Sequence, residues 1–239
     1  MEILLPFLLV IIASFFQGSF GLGMKYMEPL KWEAWWIIHV TIAMIIFPIV
    51  WAIIVVPNLF EVIGNAPSES LFLGMLFGFL WGVGGILFGK SVPYIGLSLT
   101  YGIVMGLAAS VGSIIPLLQV EDAFSNPATS YVIISVVIML IGVALTAKAG
   151  IERDKLIGDT NDPSNMSKGI LIAISCGVLS ALLNVGFANA TPVALEAEKM
   201  GALTRNSSLA AWVIVLLGAF LMNFGYAVVL LLKNKSWSS

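Results

Sequence analysis

Seven apolar stretches, each long enough to cross a lipid bilayer, fill most of this sequence, and none of them contains Asp or Glu. A transmembrane helix needs about 20 apolar residues to span the hydrocarbon core. On that length we predict spans at residues 3–23, 34–56, 71–89, 94–117, 130–149, 169–190 and 208–232. The predicted fold class is all-α, a polytopic membrane protein whose few polar residues inside the spans are the first candidates for function.

Composition argues against several other classes of protein. Charged residues make up 10% of the sequence, whereas a soluble domain has about 25%. The single Cys176 excludes an internal disulfide and offers no metal-binding cluster, so we expect neither a metal nor a cofactor. The net charge of −2 does not indicate a nucleic-acid partner.

The basic residues predict the orientation in the membrane. They fall mostly on one side of the predicted helices, and basic loops stay in the cytoplasm. We therefore expect a protein of the cell (inner) membrane with its N-terminus outside and its C-terminus inside. The majority side carries Lys25, Lys31, Lys90, Lys148, Arg153, Lys155, Lys168, Lys233 and Lys235, and the other side carries Lys199 and Arg205.

Residues 150–168 form the only long stretch dense in charge, Asn, Asp and Pro, and we predict a cytoplasmic linker there. Five spans precede it, so the following helices begin in inverted orientation, as in the inverted repeats of secondary transporters. We predict a first five-helix repeat over 1–149 and the first two helices of a second repeat over 169–239. The first span of each part places one amide on a face of small residues with the same spacing. These faces are Ser14, Gln17, Gly18 and Gly21, and Gly177, Ser180, Ala181 and Asn184.

Glycines form a stripe in the third and fourth spans. Small residues three or four apart let helix backbones approach closely where lipid supplies no hydrophobic driving force. Packing is the first interpretation, and surfaces that slide during alternating access are the second. The spacing does not separate the two. The stripe consists of Gly74, Gly78, Gly82, Gly85 and Gly89, followed by Gly102 and Gly106.

The run LWGVGGILFGKSVPYIGLSLTYGIVMGLAASVGSIIPLL at 80–118 resembles the third and fourth helices of the L-rhamnose–proton symporter family, in the drug/metabolite transporter superfamily. That resemblance implies ten helices in two inverted five-helix repeats (5+5), and proton symport of a neutral sugar, L-rhamnose or a related 6-deoxyhexose. The sequence stops at Ser239, in what resembles the loop before an eighth helix, so we expect a fragment of a longer reading frame. Further matching runs, in family order, are KWEAWW at 31–36, Pro48, VPNLF at 56–60, IGVALTAKAG at 141–150, CGVLSALLNVGFANATP at 176–192 and NFGY at 223–226.

A sugar site needs amides and hydroxyls that pair with the ring hydroxyls, and aromatic faces that stack on the sugar. Gln17 and Asn184 fit as substrate-binding residues, with an interhelical hydrogen bond as the alternative for this pair. Asn223 and Tyr226 are further candidates, three residues apart on one face of the seventh span. Aromatic residues deep in the third and fourth spans could also stack on a sugar, although core packing is the simpler interpretation. They are Trp81 and Tyr101.

Proton coupling requires a group that changes charge, and histidine titrates at about pH 6.5. His39 lies a short way inside the second span, behind three tryptophans, so an interfacial histidine satisfied by water or lipid headgroups is the alternative. Glu33, at the entrance to the same span, lies in one of the matching runs and is the second candidate. A residue in helices 8 to 10, which this sequence does not contain, is the third.

Two other functions are alternatives to sugar import. An exporter of another small metabolite from the same superfamily is the alternative, and the direction of transport separates the two. An integral membrane enzyme would usually show clustered His, Asp or Glu at the ends of its spans. One histidine and no acid inside the spans argue against an enzyme. The expected partners are a small sugar, protons and the lipid bilayer, and the sequence predicts no oligomeric state.

Overall fold

The computed structural model describes residues 4–27, 30–120, 122–157 and 163–236, and for residues 20–25, 154–157, 163 and 164 it describes the backbone alone. Throughout these ranges the chain is helical with short turns, and no strand occurs among them. Five helices are long and apolar enough to cross a membrane, which confirms an all-α polytopic membrane protein. The count of seven spans and the ten-helix inverted repeat stay predictions.

A π-helical turn joins the second and third helices into one apolar helix, Trp32–Val55. In this turn the N–H of Phe47 donates to the carbonyl of Ile42, five residues back. Pro48 follows directly, and because proline has no N–H to donate, regular α-helical bonding is interrupted there. In chain order the elements are α1 (Leu4–Lys25), α2 (Trp32–Val40), the π turn (Thr41–Ile46), α3 (Phe47–Val55), α4 (Leu59–Asn65), α5 (Ser68–Leu118), α6 (Pro127–Ile157), α7 (Pro163–Asn189), α8 (Thr191–Lys199) and α9 (Thr204–Asn234).

Helix α5 contains two of the predicted spans and folds back on itself at Gly96. This glycine has φ 75° and ψ 164°, a backbone conformation that residues with a Cβ atom rarely adopt. Across the fold, the rings of Phe88 and Tyr101 meet edge to face with 4.9 Å between their centres. α5 is therefore a helical hairpin, with a first arm at residues 68–95 and a second arm at residues 97–118.

Helix α7 packs against both arms of the hairpin. Gly169, near its start, lies against Tyr94 at the end of the first arm, and Gly186, near its end, lies against Phe77. α7 therefore runs antiparallel to the first arm. Gly177, between these two contacts, faces the second arm.

The glycine stripe lies at helix contacts for much of its length. A Cβ atom at Gly78 would meet the backbone of Val215 on α9, and one at Gly106 would meet the side chain of Val143 on α6. A side chain at either position would overlap the neighbouring helix, which supports the packing interpretation. Gly89 differs, because a Cβ atom there would have no heavy atom within 4 Å.

Two short helices that the sequence analysis did not predict, α4 and α8, lie near the start of the first arm. They have 7 and 9 residues, too few for a hydrophobic period to stand out. They pack with the ends of α3, α7 and α9 in a core of small apolar side chains. Its buried members include Val56, Leu59, Val62, Ala190, Val193, Ala197, Ala210 and Ala211.

The described residues of the predicted linker, 150–157 and 163–168, are helical. α6 continues to Ile157 and α7 begins at Pro163. Lys and Glu are good helix formers, and Lys148 Nζ lies 3.9 Å from Glu152 Oε1 one turn along α6. A charged segment was therefore read as a loop although its residue types favour a helix. The division of the chain into two repeats stays a prediction.

The chain separates into two compact units. The terminal unit combines residues 1–39 with residues 227–239, and the central unit comprises residues 40–226. The central unit holds the α5 hairpin with α6 and α7. The terminal unit holds α1, most of α2 and the end of α9.

Candidate functional site

Asn223, one of the predicted sugar-binding residues, is a buried amide in the central unit. Its side chain is 2% exposed, and Nδ2 donates to the carbonyl of Ala219 at 2.9 Å. A Cβ atom at Gly82 of the first arm would lie 3.0 Å from Asn223 Nδ2, and one at Gly85 would lie 3.8 Å from Oδ1. These two glycines make room for the amide between α9 and the first arm.

Asn184, on α7, meets the second arm in a similar way. A Cβ atom at Gly112 would collide with its Nδ2 atom, so the absence of a side chain there admits the amide. Asn184 as a whole residue is exposed, unlike Asn223. The two predicted amides thus each lie opposite glycine, one on each arm of the hairpin.

Both amides lie at a similar depth. Gly82, opposite Asn223, is 14 residues from both Ser68 and Gly96, which is about 21 Å at the rise of an α-helix. Gly112, opposite Asn184, is 16 residues from Gly96, or about 24 Å. Measured from the fold at Gly96, the two glycines therefore lie at a similar distance along their arms, and Gly112 lies six residues before the end of the second arm.

The two predicted aromatic residues lie at different depths. Trp81 is half-buried and adjoins Gly82, so it lies at the depth of the amides. Tyr101 lies five residues beyond Gly96, where its ring packs against Phe88. This geometry favours core packing for Tyr101.

Tyr226 interacts with a cation. Lys90 Nζ lies 5.6 Å from the centre of its half-buried ring, within the range of a cation–π interaction. Lys90 is exposed and lies near the end of the first arm. Tyr226 therefore interacts with Lys90, near the fold at Gly96, although it lies only three residues from Asn223.

Gln17 is exposed on α1 and belongs to the terminal unit. Ser14, on the same predicted face, donates to the carbonyl of Val10 at 2.8 Å, as hydroxyls in apolar helices commonly do. The assignment of Gln17 to a sugar site stays a prediction from the sequence.

Glu33, the second proton-coupling candidate, is a buried carboxylate in the terminal unit. It is 5% exposed, and its Oε1 atom accepts two hydrogen bonds, from Ser236 Oγ at 2.6 Å and from Asn234 Nδ2 at 2.9 Å. Sequence reasoning missed both donors. They lie 203 and 201 residues away along the chain, and no local pattern links such distant positions.

His39, the other coupling candidate, is half-buried among tryptophans. Its ring centre lies 5.2 Å from that of Trp36 and 6.0 Å from that of Trp35. Trp32 stacks on Trp36 at 5.0 Å, which extends the aromatic cluster toward the start of α2. Trp35 and Trp36 are themselves buried, so His39 belongs to an aromatic cluster inside the terminal unit.

Among the residues that the structure describes, no three His, Cys, Asp or Glu side chains come together as metal ligands would. Cys176 is buried, and its Sγ donates to the carbonyl of Gly84 on the first arm at 3.0 Å. This contact helps join α7 to the hairpin.

Comparison with known proteins gives a consistent result. The family model described as L-rhamnose-proton symport protein (RhaT) matches residues 2–239. An L-rhamnose-proton symporter of Mannheimia succiniciproducens is 29% identical over 226 residues, which are 92% of this chain and 65% of that protein. Symporters of the same name from Yersinia pestis bv. Antiqua and Yersinia pseudotuberculosis serotype O:3 are 28% identical over 217 residues, 89% of this chain and 63% of theirs.

The chain thus spans about 65% of the length of the curated relatives that it matches. No solved structure matches it. The similarity covers every residue named above as a site candidate, including Glu33 and Ser236.

Proposed function

This chain belongs to the L-rhamnose-proton symport protein family, and on that premise we propose that the protein imports L-rhamnose or a related 6-deoxyhexose together with protons. It is a multi-pass membrane protein. The observation that carries the proposal is the family match over residues 2–239. The proposed activity is transport, with no chemical change to the sugar.

The geometry of the central unit supports a sugar site along the α5 hairpin. Asn184 and Asn223 lie at a similar depth along the α5 hairpin, and Trp81 lies beside the glycine that faces Asn223. Amides can donate to and accept from sugar hydroxyls, and an indole ring can cover the apolar face of a sugar. We assign these three residues to sugar binding.

The geometry of the terminal unit supports Glu33 as the proton-binding group. A buried carboxylate changes from charged to neutral when one proton binds, and its hydrogen bonds change strength with it. Glu33 has this setting, whereas the ring of His39 packs against the rings of Trp35 and Trp36. We therefore place Glu33 before His39 as the coupling residue.

The proposed orientation follows the basic residues. With the N-terminus outside, the fold at Gly96 and its neighbour Lys90 lie on the cytoplasmic side, where basic residues concentrate. The cell (inner) membrane is the corresponding location.

Uptake of radiolabelled L-rhamnose into proteoliposomes containing the full-length protein tests the function. An imposed inward proton gradient should drive accumulation, and an uncoupler should abolish it. Accumulation that persists after the gradient has collapsed would refute proton symport. Net efflux as the only movement would favour the exporter.

A further inference from the structure

Two side chains donate to the same oxygen atom of the Glu33 carboxylate. Ser236 Oγ and Asn234 Nδ2 converge on Oε1, at 2.6 and 2.9 Å. The hydroxyl distance falls in the range of about 2.5–2.7 Å typical of a bond from a hydroxyl to a charged oxygen. Glu33 and Ser236 are both buried, at 5% and 3% exposed. The two donors therefore bind the protein's own carboxylate as an anion-binding site binds its anion.

We propose that Asn234 and Ser236 are positioning residues for Glu33, and that the three form a clamp that holds the end of α9 to the start of α2 while Glu33 is charged. The inference rests on the proposed function and deepens it by naming what the proton acts on. Binding of one proton to the carboxylate removes the negative charge, and no other covalent bond forms or breaks. Hydrogen bonds to a charged group are about twice as strong as neutral ones, so protonation loosens the clamp.

Among the described residues, four other charged or titratable side chains lie within six residues of the clamp in the sequence. Lys31 precedes Glu33 by two residues, is exposed and acts on the carboxylate electrostatically. The described side chains of α1, at residues 4–19, include no titratable group. His39 lies further along α2, and Lys233 and Lys235 flank Asn234 and are exposed. Ser236 and Asn234 are thus neutral donors in a basic stretch of chain.

Helix α9 carries one residue of the clamp and one residue of the proposed sugar site. The same helix carries Asn223, eleven residues before Asn234. A packed helix transmits a change at one end to its other residues, provided that it has two arrangements to choose between. The two arrangements in this proposal are the end of α9 held by the clamp and the end of α9 released from it. The charge on Glu33 favours the held arrangement.

The experiment measures two activities of the full-length protein in proteoliposomes. One is accumulation of labelled L-rhamnose driven by an imposed proton gradient, and the other is exchange of labelled for unlabelled sugar at equal pH on both sides. Exchange needs sugar binding and helix movement but no net proton release. A coupling defect therefore lowers accumulation far more than exchange.

Glu33→Gln mimics the protonated side chain, so it should abolish accumulation and lower exchange by no more than about threefold. Ser236→Ala leaves the carboxylate in place and should lower accumulation by about tenfold, the size expected for one hydrogen bond to a charged group. Ser236→Thr keeps the hydroxyl and should restore accumulation. Ser113→Ala removes a serine hydroxyl outside the clamp and serves as the matched control.

A double-mutant cycle completes the test. Adding Ser236→Ala to Glu33→Gln should change exchange no further, because the charged acceptor is already gone. The inference is overturned if Ser236→Ala accumulates sugar like the parent, if Ser236→Thr fails to rescue it, or if Glu33→Gln loses exchange as fully as accumulation. Failure of the parent protein to accumulate L-rhamnose at all would instead refute the proposed function.

Discussion

At the scale of single residues, the two amides of the proposed sugar site are accommodated in the same way. Each lies opposite a glycine whose missing side chain leaves room for it, Gly82 for Asn223 and Gly112 for Asn184. The amides differ in exposure, because Asn223 is 2% exposed and bonds to its own helix, whereas Asn184 is exposed. Asn184 is therefore the better probe of a sugar contact.

We expect Asn184→Ala to raise the half-saturating concentration of L-rhamnose by about threefold to tenfold in proteoliposome uptake. A hydrogen bond between neutral groups is worth about 0.5–1.5 kcal/mol, and 1.4 kcal/mol is a factor of ten. Asn65→Ala, which removes an exposed amide at the end of α4, is the matched control and should leave the value unchanged. If Asn184→Ala leaves the half-saturating concentration unchanged, this amide contributes to packing and not to sugar binding.

Single residues were predictable from the sequence only as far as their chemistry stands out locally. Amides within apolar spans are conspicuous, since an unpaired polar group in hydrocarbon is costly. Glu33 was recognisable as an acid at the edge of a span. Its donors were not, because Asn234 and Ser236 are ordinary polar residues near the end of the sequence, and only the fold brings them to the carboxylate.

At the scale of elements, glycine decides how closely the helices pack. The first arm contacts α9 at Gly78 with backbone against backbone. On α9, Gly218 has the same role, because a Cβ atom there would meet the backbone of Met75. Lipid tails are as apolar as leucine, so this close packing, rather than exclusion of water, holds the helices together.

We expect Gly78→Ala to destabilise the protein by about 1–3 kcal/mol, because the added methyl group would overlap the Val215 backbone. The measurement is the thermal denaturation midpoint of the purified protein in detergent. Gly89→Ala, on the same helix but with open space around its Cβ position, is the control. It should be neutral or stabilising, because alanine favours a helix by about 1 kcal/mol over glycine. Equal midpoints for the two variants would contradict the packing interpretation.

The elements were predictable where hydrophobic length sufficed and not elsewhere. Each described long apolar helix overlaps a predicted span. The tight fold at Gly96 was not foreseen, since the predicted spans 71–89 and 94–117 placed the break at residues 90–93. The helical ends of the predicted linker were missed because charge was weighed above helix propensity.

At the scale of the whole molecule, hydropathy and the basic residues lead to a topology that is open to a direct test. In the proposed orientation, Gly64 of α4 lies outside the cell and Ser167 of α7 lies in the cytoplasm. Both residues are exposed, so cysteines placed there can react with added reagents.

We expect Gly64→Cys to react with a membrane-impermeant maleimide in intact cells, and Ser167→Cys to react only after the cells are opened. The native Cys176 is buried and contributes little background. The reverse pattern of labelling would overturn the orientation without affecting the assignment to the family.

The fold at Gly96 also bears on how the chain enters the membrane during synthesis. Two apolar arms follow each other with no hydrophilic loop between them, so the second emerges from the ribosome as soon as the first is complete. In the proposed orientation the fold stays on the ribosome's side of the membrane, and only the segments 57–70 and 118–129 must cross for this hairpin. Neither contains Lys or Arg. We therefore expect the translocation machinery to insert the two arms together, and no Lys or Arg in the flanking segments opposes their crossing.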